Sequence, residues 1–340
     1  MEKQDIYSII LIIVIFCFAN FSLFVSKELV VSLKQSVYGD IWVNQSMVKR
    51  QPPKQVATII FVGDMMLSRS VGIQIDKNND FKYPFLNVAE ILKSADLTFG
   101  NLEGPISDRG ANQGSIYSFR AKPEVVEGLT YAGFDVLCLA NNHMWDWGRF
   151  ALEDTLSILR QNSIEPIGAG NNYEDANDGF IKEIKGNRIA FLAYTDLYPK
   201  TLWADDSIGL SSYDLENIKS KIQTIKQNDL ADLVVVTFHW GQEYQTHSNT
   251  EQQSIAHELI DIGADIIIGH HPHVVQEIEH YKNGFIAYSL GNFIFDQYFS
   301  EETMSGLMVR VQIKNKKIEA FEPFSTKLSK TFQPQIYGIQ

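Results

Sequence analysis

The stretch Gly263–Gln276, GADIIIGHHPHVVQ, joins a short apolar run to a cluster of histidines. The run Ile266–Ile268 is β-branched and bounded by glycine, which predicts a buried strand rather than a helix. His270, His271 and His273 then fall at the carboxyl end of that strand, where loops converge over the sheet in layered α/β proteins. Because imidazole is the commonest metal ligand, this clustering favours a metal site over a histidine-rich surface loop.

The composition is that of a globular protein with room for a large core. The chain has 340 residues, of which 45% are hydrophobic and 21% are charged. Its formal net charge is −12 and no basic stripe stands out, so nucleic acid is not expected as a partner. The two cysteines, Cys17 and Cys138, are too few for a disulfide framework.

The segment 6–26 contains no charged residue and is long enough to cross a bilayer as a helix. A cleavable signal peptide is the alternative, but the preceding residues are not clearly basic and no convincing cleavage site follows. We therefore expect an uncleaved single-pass membrane anchor at 1–26 and a linker at 27–55 that ends in a proline-containing stretch. Positively charged residues next to a membrane span favour the cytoplasmic side, so Lys27 and Lys34 weakly disfavour an external position for the rest of the chain.

Alternating helices and strands are predicted from position 56 onward. Apolar periodicity predicts helices at 80–93, 123–132, 214–228 and 251–262. Short apolar runs predict strands at 56–62, 95–99, 135–139, 188–193, 233–238 and 285–290, and a closing hairpin of 306–313 with 318–322. We place the folded domain at 56–325. No usable pattern remains beyond Lys327, so 326–340 is assigned to a tail.

Polar side chains recur at the ends of these predicted strands. Each of them alone has an ordinary alternative, such as a turn aspartate, a packed core histidine, or a cap for a helix that begins near Arg149. Recurrence at successive strand ends favours one shared site instead. The residues are Asp64, Asn101, Glu103, Asn142, His143, Asp146, His239, His271 and His273.

The donors in this set are oxygen and nitrogen atoms, without any thiolate. Such a mixture suits Mn, Zn or Fe, as one or two divalent ions, and a cysteine-based structural zinc site is excluded by composition. Two ions of this kind can ionise a water molecule and stabilise an oxyanion, which is the chemistry of metal-dependent hydrolysis.

Eight motifs in the chain together resemble a known family. In order, the motifs are GDMMLSR, FGNLEGPI, FRAKPE, GFDVLCLANNHMWDWG, GAG, FHWGQEY, GADIIIGHHPHVVQ and YSLGNFIFDQ. They resemble the CapA family, also called PgsA, of poly-γ-glutamate capsule biosynthesis proteins, across residues 57–322. That family is similar in turn to the calcineurin-like metallophosphoesterases. The resemblance implies an α/β fold: a two-sheet αββα sandwich of the metallophosphoesterase type, here preceded by one transmembrane helix.

The resemblance also implies roles for individual residues. The implied metal ligands are Asp64, Glu103, Asn142, His239, His271 and His273. The implied general acid is His143, oriented by Asp146. The residues expected to bind substrate are Arg69, Arg120, Asn101 and His270. The chain departs from the family pattern at two positions. Met66 stands where the D-x-H motif has histidine, and Glu103 stands where the pattern has aspartate. These departures predict that one metal site is weakened.

Two functions follow from the resemblance. The first is a membrane-anchored component of poly-γ-glutamate or capsule synthesis, with a metal-dependent hydrolase-like site outside the cell that acts on the anionic polymer or its precursor. The second is a non-catalytic binding or scaffold subunit of a membrane synthase or exporter. Met66 favours the second function, whereas polar residues at every strand end favour the first. Other capsule synthase subunits are expected partners in either case.

Overall fold

Two β-sheets carry the side chains of interest, and the computed structural model describes them within residues 55–339. The strands are β1 (Ala57–Met65), β2 (Leu97–Leu102), β3 (Val136–Cys138), β4 (Glu165–Ile167), β5 (Ala169–Gly170), β6 (Phe180–Ile184), β7 (Asn187–Thr195), β8 (Gly209–Leu210), β9 (Leu233–His239), β10 (Ile266–His270), β11 (Ile278–Tyr281), β12 (Gly284–Ala287), β13 (Asn292–Ile294), β14 (Ser305–Lys314), β15 (Lys317–Leu328) and β16 (Pro334–Ile339). The α-helices are α1 (Arg69–Asn78), α2 (Ala89–Leu92), α3 (Val126–Ala132), α4 (Arg149–Gln161), α5 (Tyr173–Asn177), α6 (Leu215–Gln227) and α7 (Thr250–Ile262).

Both large sheets have parallel central strands, with antiparallel strands at one margin of the first sheet and at both margins of the second. The first sheet runs β16-β15-β14-β1-β2-β3-β4, with β13 also paired to β1, and the second runs β11-β12-β10-β9-β7-β6. Strands β1 to β4 are parallel to one another, as are β7, β9, β10 and β12. The carboxyl ends of the central strands in each sheet therefore lie along one edge. Strands β5 and β8 form a separate two-stranded sheet.

Successive side chains of each strand point to opposite faces of its sheet, and this alternation produces a layered sandwich. Phe61 of β1 shares a buried cluster with Phe191 of β7, so one face of each sheet packs on the other. The neighbouring Ile60 faces the opposite way, in a cluster with side chains of α1, α3 and α4. Ile267 of β10 packs with α6 and α7 on the outer face of the second sheet. Burying one such side chain stabilises the fold by about 1.5–3 kcal/mol. The expected α/β sandwich is present.

Gly269 allows the backbone of β10 to approach the segment that follows β12 closely. A Cβ atom at this position would lie 1.8 Å from the carbonyl oxygen of Tyr288, so no larger residue fits without moving the backbone. The histidine cluster consequently begins at the edge of a sheet whose strands are in tight backbone contact.

Three expected elements differ in the structure. The helix predicted at 80–93 is wrong in extent: a 3₁₀ turn at Tyr83–Phe85 precedes the short α2, because Pro84 has no N–H to bond the residue four positions earlier. The strand predicted at 285–290 is β12, which ends at Ala287. Residues assigned to a tail include β16, which pairs antiparallel with β15.

The predicted anchor at 1–26 and nearly all of the linker at 27–55 lie outside the described residues. Within 55–339, none of the helices has both the length and the apolar character needed to cross a bilayer.

Candidate metal centre

The site forms where the carboxyl edges of the two sheets meet. Asp64 of β1 is aligned with Asn101 of β2, and His239 of β9 is aligned with His270 of β10. The Nδ2 of Asn101 donates a hydrogen bond to Asp64 Oδ1 at 2.8 Å and lies 3.3 Å from His239 Nδ1. Asn101 thus connects the first sheet to the second, and all four side chains are fully buried.

The histidine cluster surrounds Asp64. The backbone N–H of His271 donates to Asp64 Oδ2 at 3.1 Å, while His270 Nδ1 lies 3.1 Å from Oδ1 and His273 Nδ1 lies 3.6 Å from Oδ2. His271 and His273 have positive φ angles of 97° and 58°, which non-glycine residues rarely adopt. Such backbone conformations persist where surrounding contacts hold them, and they concentrate at functional sites.

Glu103 places a carboxylate beside this cluster without the usual hydrogen-bond partners. It is buried, and neither Oε1 nor Oε2 has a hydrogen-bond partner among the described residues. His273 Nε2 lies 3.6 Å and His143 Nε2 lies 3.9 Å from Glu103 Oε1. One ligand atom each from Asp64, Glu103 and His273 lie within 4.8 Å of one another. Burying a carboxylate without partners is costly, and a cation relieves that cost.

The remaining predicted ligands lie at the same edge. His239 Nε2 is 2.8 Å from Asn142 Oδ1, so two predicted ligand atoms already face each other. The rings of His239 and His271 are 4.9 Å apart, and the buried Nδ1 of His271 has no hydrogen-bond partner among the described residues. A second group of ligand atoms within 4.8 Å comes from Glu243, His271 and His273. The donor set therefore fits a divalent cation.

The electrostatics of the buried groups agree with this chemistry. Burial lowers the pKa of His239, and it lowers the pKa of His271 to about 3, so both rings are neutral at neutral pH and have lone pairs available. Burial raises the pKa of Glu103, and the charges of Asp64 and Glu243 raise it further. Burial alone would also raise the pKa of Asp64, but the adjacent His270 lowers it below its ordinary value. A bound cation would favour the ionised form of both carboxyl groups.

His143 lies at the mouth of the site and is held by Asp146. Its Nδ1 is 2.8 Å from Asp146 Oδ2, and the same oxygen accepts the backbone N–H of Phe119 at 2.7 Å. The ring of Phe119 stacks on the imidazole with centroids 3.9 Å apart. Helix α4 has Gly148 as its N-cap and no side-chain cap bond, so neither Asn142 nor Asp146 serves as a helix cap.

A cleft of about 360 Å³ opens over His143 and His273. Arg69 lines it, with a side chain 38% exposed and Nη2 3.2 Å from Asp296 Oδ1. The other predicted arginine, Arg120, is not among the lining residues. Its guanidinium lies 3.5 Å from the centre of a tryptophan ring and donates to backbone carbonyls. The remaining lining residues are Tyr117, Phe119, Glu243, Tyr244, Asp296, Gln297, Tyr298 and Phe299.

Asn101 and His270, expected at the substrate, are instead fully buried beside Asp64. Neither residue lines the cleft.

Two amides, to which no role was assigned from the sequence, hold the site together. Asn141 Nδ2 donates to Asn101 Oδ1 at 3.1 Å and to Leu102 O at 2.8 Å. Asn292 Oδ1 lies 2.9 Å from His273 Nδ1, which fixes the ring. A signal for Asn292 was present, because Gly291-Asn292 follows a predicted strand in the way that Gly100 and Asn101 do.

Comparison with protein families shows which family the chain belongs to. Residues 58–297 match the model described as "Bacterial capsule synthesis protein PGA_cap". The chain belongs to this family. Among PGA_cap relatives, the capsule biosynthesis protein CapA of Bacillus anthracis is 38% identical over 259 residues, which are 74% of this chain and 62% of that protein. The PGA biosynthesis protein CapA of Bacillus subtilis is 35% identical over 271 residues, or 78% and 70% of the two chains. The match thus spans less than two thirds of the Bacillus anthracis protein.

A solved structure shares the fold of this PGA_cap protein. It is described as a novel phosphatase from Mycoplasma pneumoniae and aligns with a TM-score of 0.50 and 16% identity, over 80% of this chain and 94% of that one. At this identity the similarity establishes the α/β fold alone.

Proposed function

We propose that this protein is a capsule biosynthesis component that hydrolyses a bond in an anionic polymer, such as poly-γ-glutamate, or in its precursor. The observation that carries the proposal is Glu103, a buried carboxylate without hydrogen-bond partners, placed among neutral imidazoles and beside Asp64. A scaffold has no need for such a group, because an uncompensated buried carboxylate destabilises the fold.

The donor set is suited to one or two ions of Mn, Zn or Fe. Asp64, Glu103 and His273 form one group of donors, and Asn142, His239 and His271 extend it. When bound, such an ion supplies Lewis-acid activation of water and of the bond to be broken.

The protein's own contribution to proton transfer comes from His143. With Nδ1–H donated to Asp146, the Nε2 atom faces Glu103 and the cleft. A protonated His143 would donate from Nε2 to the leaving atom, which is oxygen in a phosphoester and nitrogen in a γ-glutamyl amide, and Asp146 would stabilise the charged ring. Asp146 is held in turn by the Phe119 backbone N–H, so the pair is fixed before substrate arrives.

Substrate binding is assigned to Arg69. Its guanidinium is partly exposed in the cleft and contacts Asp296, which orients it without removing all of its N–H donors. A carboxylate or phosphate group of the substrate would accept from the remaining donors.

We further propose that residues 6–26 anchor the protein in the cell membrane, with the metal centre outside and other capsule synthase subunits nearby. The support is the uncharged length of this segment.

The test is metal analysis of the full-length protein, purified in detergent, together with a screen of phosphoester and γ-glutamyl substrates. Changing His271 and His273 together to alanine is expected to remove most bound transition metal and all turnover. The domain should stay folded, because these loop residues are not part of the apolar core, but the melting temperature should fall with the loss of the cation beside buried Glu103. The matched control changes two exposed histidines, His247 and His280, to alanine and should leave metal content unchanged.

The scaffold alternative makes the opposite prediction. If the unchanged protein binds no Mn, Zn or Fe, or if the double variant keeps its metal, the hydrolase proposal fails and a binding role remains.

A further inference from the structure

We propose that Glu243 is a metal ligand that supplies the donor missing at position 66. The inference rests on the proposed metal site and adds to it a residue outside the ligand set implied by the resemblance. One carboxylate oxygen of Glu243 lies within 4.8 Å of a ring nitrogen of His271 and a ring nitrogen of His273. A carboxylate and two imidazoles at this separation form a mixed oxygen and nitrogen donor group.

The second observation is the state of His271. This side chain is only 6% exposed, and its Nδ1 has no hydrogen-bond partner among the described residues. Burying a ring nitrogen without a partner costs free energy, which binding of a cation would recover. The unpaired nitrogen is therefore a second, independent indication of a ligand at the His271 ring.

Met66 explains why an additional donor is needed. It is fully buried, and its sulfur accepts from Ser68 N at 3.2 Å and from Ser68 Oγ at 3.0 Å. A thioether is a soft ligand and a poor substitute for an imidazole towards Mn or Fe. The donor set thus lacks one ligand at position 66, and Glu243 adds one from the loop after β9.

That loop is attached to the histidine loop. Tyr244 N donates to Pro272 O at 2.8 Å, between the two histidines of the group. Gly241 has a φ of 86°, and a Cβ there would lie 2.8 Å from Gln252 Nε2, so the turn that carries Glu243 favours glycine. The backbone therefore holds Glu243 beside His271 and His273.

A site that has the carboxylate of Glu243 in place of an imidazole at position 66 prefers different metal ions. Glu243 is a third carboxylate at this edge, and it shares its neighbour His273 with Asp64 and Glu103. More negative charge and a harder donor favour Mn²⁺ or Fe²⁺ relative to a site richer in imidazole. Because Glu243 also lines the cleft, an ion that it binds would be accessible to an anionic substrate.

The experiment is Mn²⁺ titration of the full-length protein in detergent by calorimetry, with bound Mn counted by elemental analysis. Glu243→Gln keeps the shape of the side chain and removes its charge. We expect it to weaken Mn²⁺ binding by at least about 10-fold, the lower end of what changes around metal ligands cost. The control Glu251→Gln removes one charge from an exposed position outside the ligand groups and should bind Mn²⁺ as the unchanged protein does.

The outcomes separate this inference from the proposed function. If the unchanged protein binds Mn²⁺ and Glu243→Gln binds it equally well, Glu243 is not a ligand, even if turnover is lost, and the metal site itself stands. Equal weakening in Glu243→Gln and Glu251→Gln also overturns the inference, because it reveals an effect of net charge. If the unchanged protein binds no Mn²⁺, Zn²⁺ or Fe²⁺, the proposed function fails, and the inference about Glu243 fails with it.

Discussion

Asn142 and His143 are adjacent in the chain, yet their side chains have different partners. The Oδ1 of Asn142 faces His239 Nε2 at 2.8 Å, whereas His143 Nδ1 faces Asp146 at 2.8 Å. Proposed ligation and proposed proton transfer are thus divided between neighbours. This division permits a test in which metal binding and turnover are lost separately.

His143→Ala is expected to retain bound metal and to lower turnover by about two to four powers of ten, the usual loss on removing a general acid. Asn142→Ala is expected to lose both. Metal content by elemental analysis and kcat on the same preparations give the measurement. A substrate with a good leaving group needs no proton and should restore much of the His143→Ala rate, but not that of Asn142→Ala. Equal metal loss in both variants would contradict this assignment.

At the scale of single residues, the sequence predicted the side chains that follow strands and did not predict their supports. Asp64, Glu103 and His273 end buried runs and were found by that pattern. Asn292 meets His273 only because β13 lies beside β1, a pairing between residues far apart in the chain. Arg120 was expected at the substrate, but a neighbouring tryptophan ring holds its guanidinium outside the cleft.

At the scale of elements, a buried carboxylate joins the two sheets away from the metal centre. Asp232 precedes β9 and accepts from Arg188 N and Nη2 of β7, each at 2.8 Å. It also lies 3.0 Å from Lys316 Nζ, in the turn between β14 and β15 of the other sheet. Asp229 contacts the same arginine at 2.7 Å, but its side chain is 81% exposed, against 3% for Asp232.

Asp232→Asn should therefore lower the free energy of unfolding by about 1–3 kcal/mol, as expected for hydrogen bonds to a charged group. The control Asp229→Asn should cost less than about 1 kcal/mol, because exposed ion pairs contribute little. Urea unfolding at neutral pH measures both. Similar losses in the two variants would show that the Asp232 contacts between the sheets do not stabilise the fold.

The stabilisation provided by the contacts of Asp232 should depend on pH. Burial alone would raise the pKa of Asp232, but hydrogen bonds from Arg188 and Lys316 lower it below its unfolded value. The stabilisation is thus complete above the unfolded pKa of about 4 and is lost as pH falls towards the lower folded pKa. The difference between the unchanged protein and Asp232→Asn should shrink over that acidic range.

Elements were predicted from sequence where local periodicity and burial agree. The central strands β1, β9 and β10 are β-branched runs, and α3, α6 and α7 have an apolar face, so their positions were found within a few residues. Strand β16 has no comparable pattern of its own. It exists because it pairs with β15 and closes the edge of the first sheet, a tertiary contact that no local window contains.

At the scale of the whole molecule, the net charge opposes the binding of an anionic substrate. The chain carries a net charge of −12, which repels an anionic polymer at long range. Binding of such a substrate must then depend on local positive charge at the site, from Arg69 and from the proposed cations. We therefore expect the metal to contribute to substrate affinity as well as to reactivity.

Attachment to a membrane is the remaining property of the whole molecule to test. Residues 6–26 contain 14 Ile, Leu, Val or Phe residues and no charge, and each such residue contributes about 0.3–0.6 kcal/mol to insertion near the centre of a helix. The full-length protein should remain with membranes after alkaline extraction, and deletion of 6–26 should release it. Deletion of 30–50, a segment of equal length that contains charged residues, should leave it attached. Recovery of the intact, full-length protein in the soluble fraction without detergent would exclude the anchor and, with it, the proposed place of the site outside the cell.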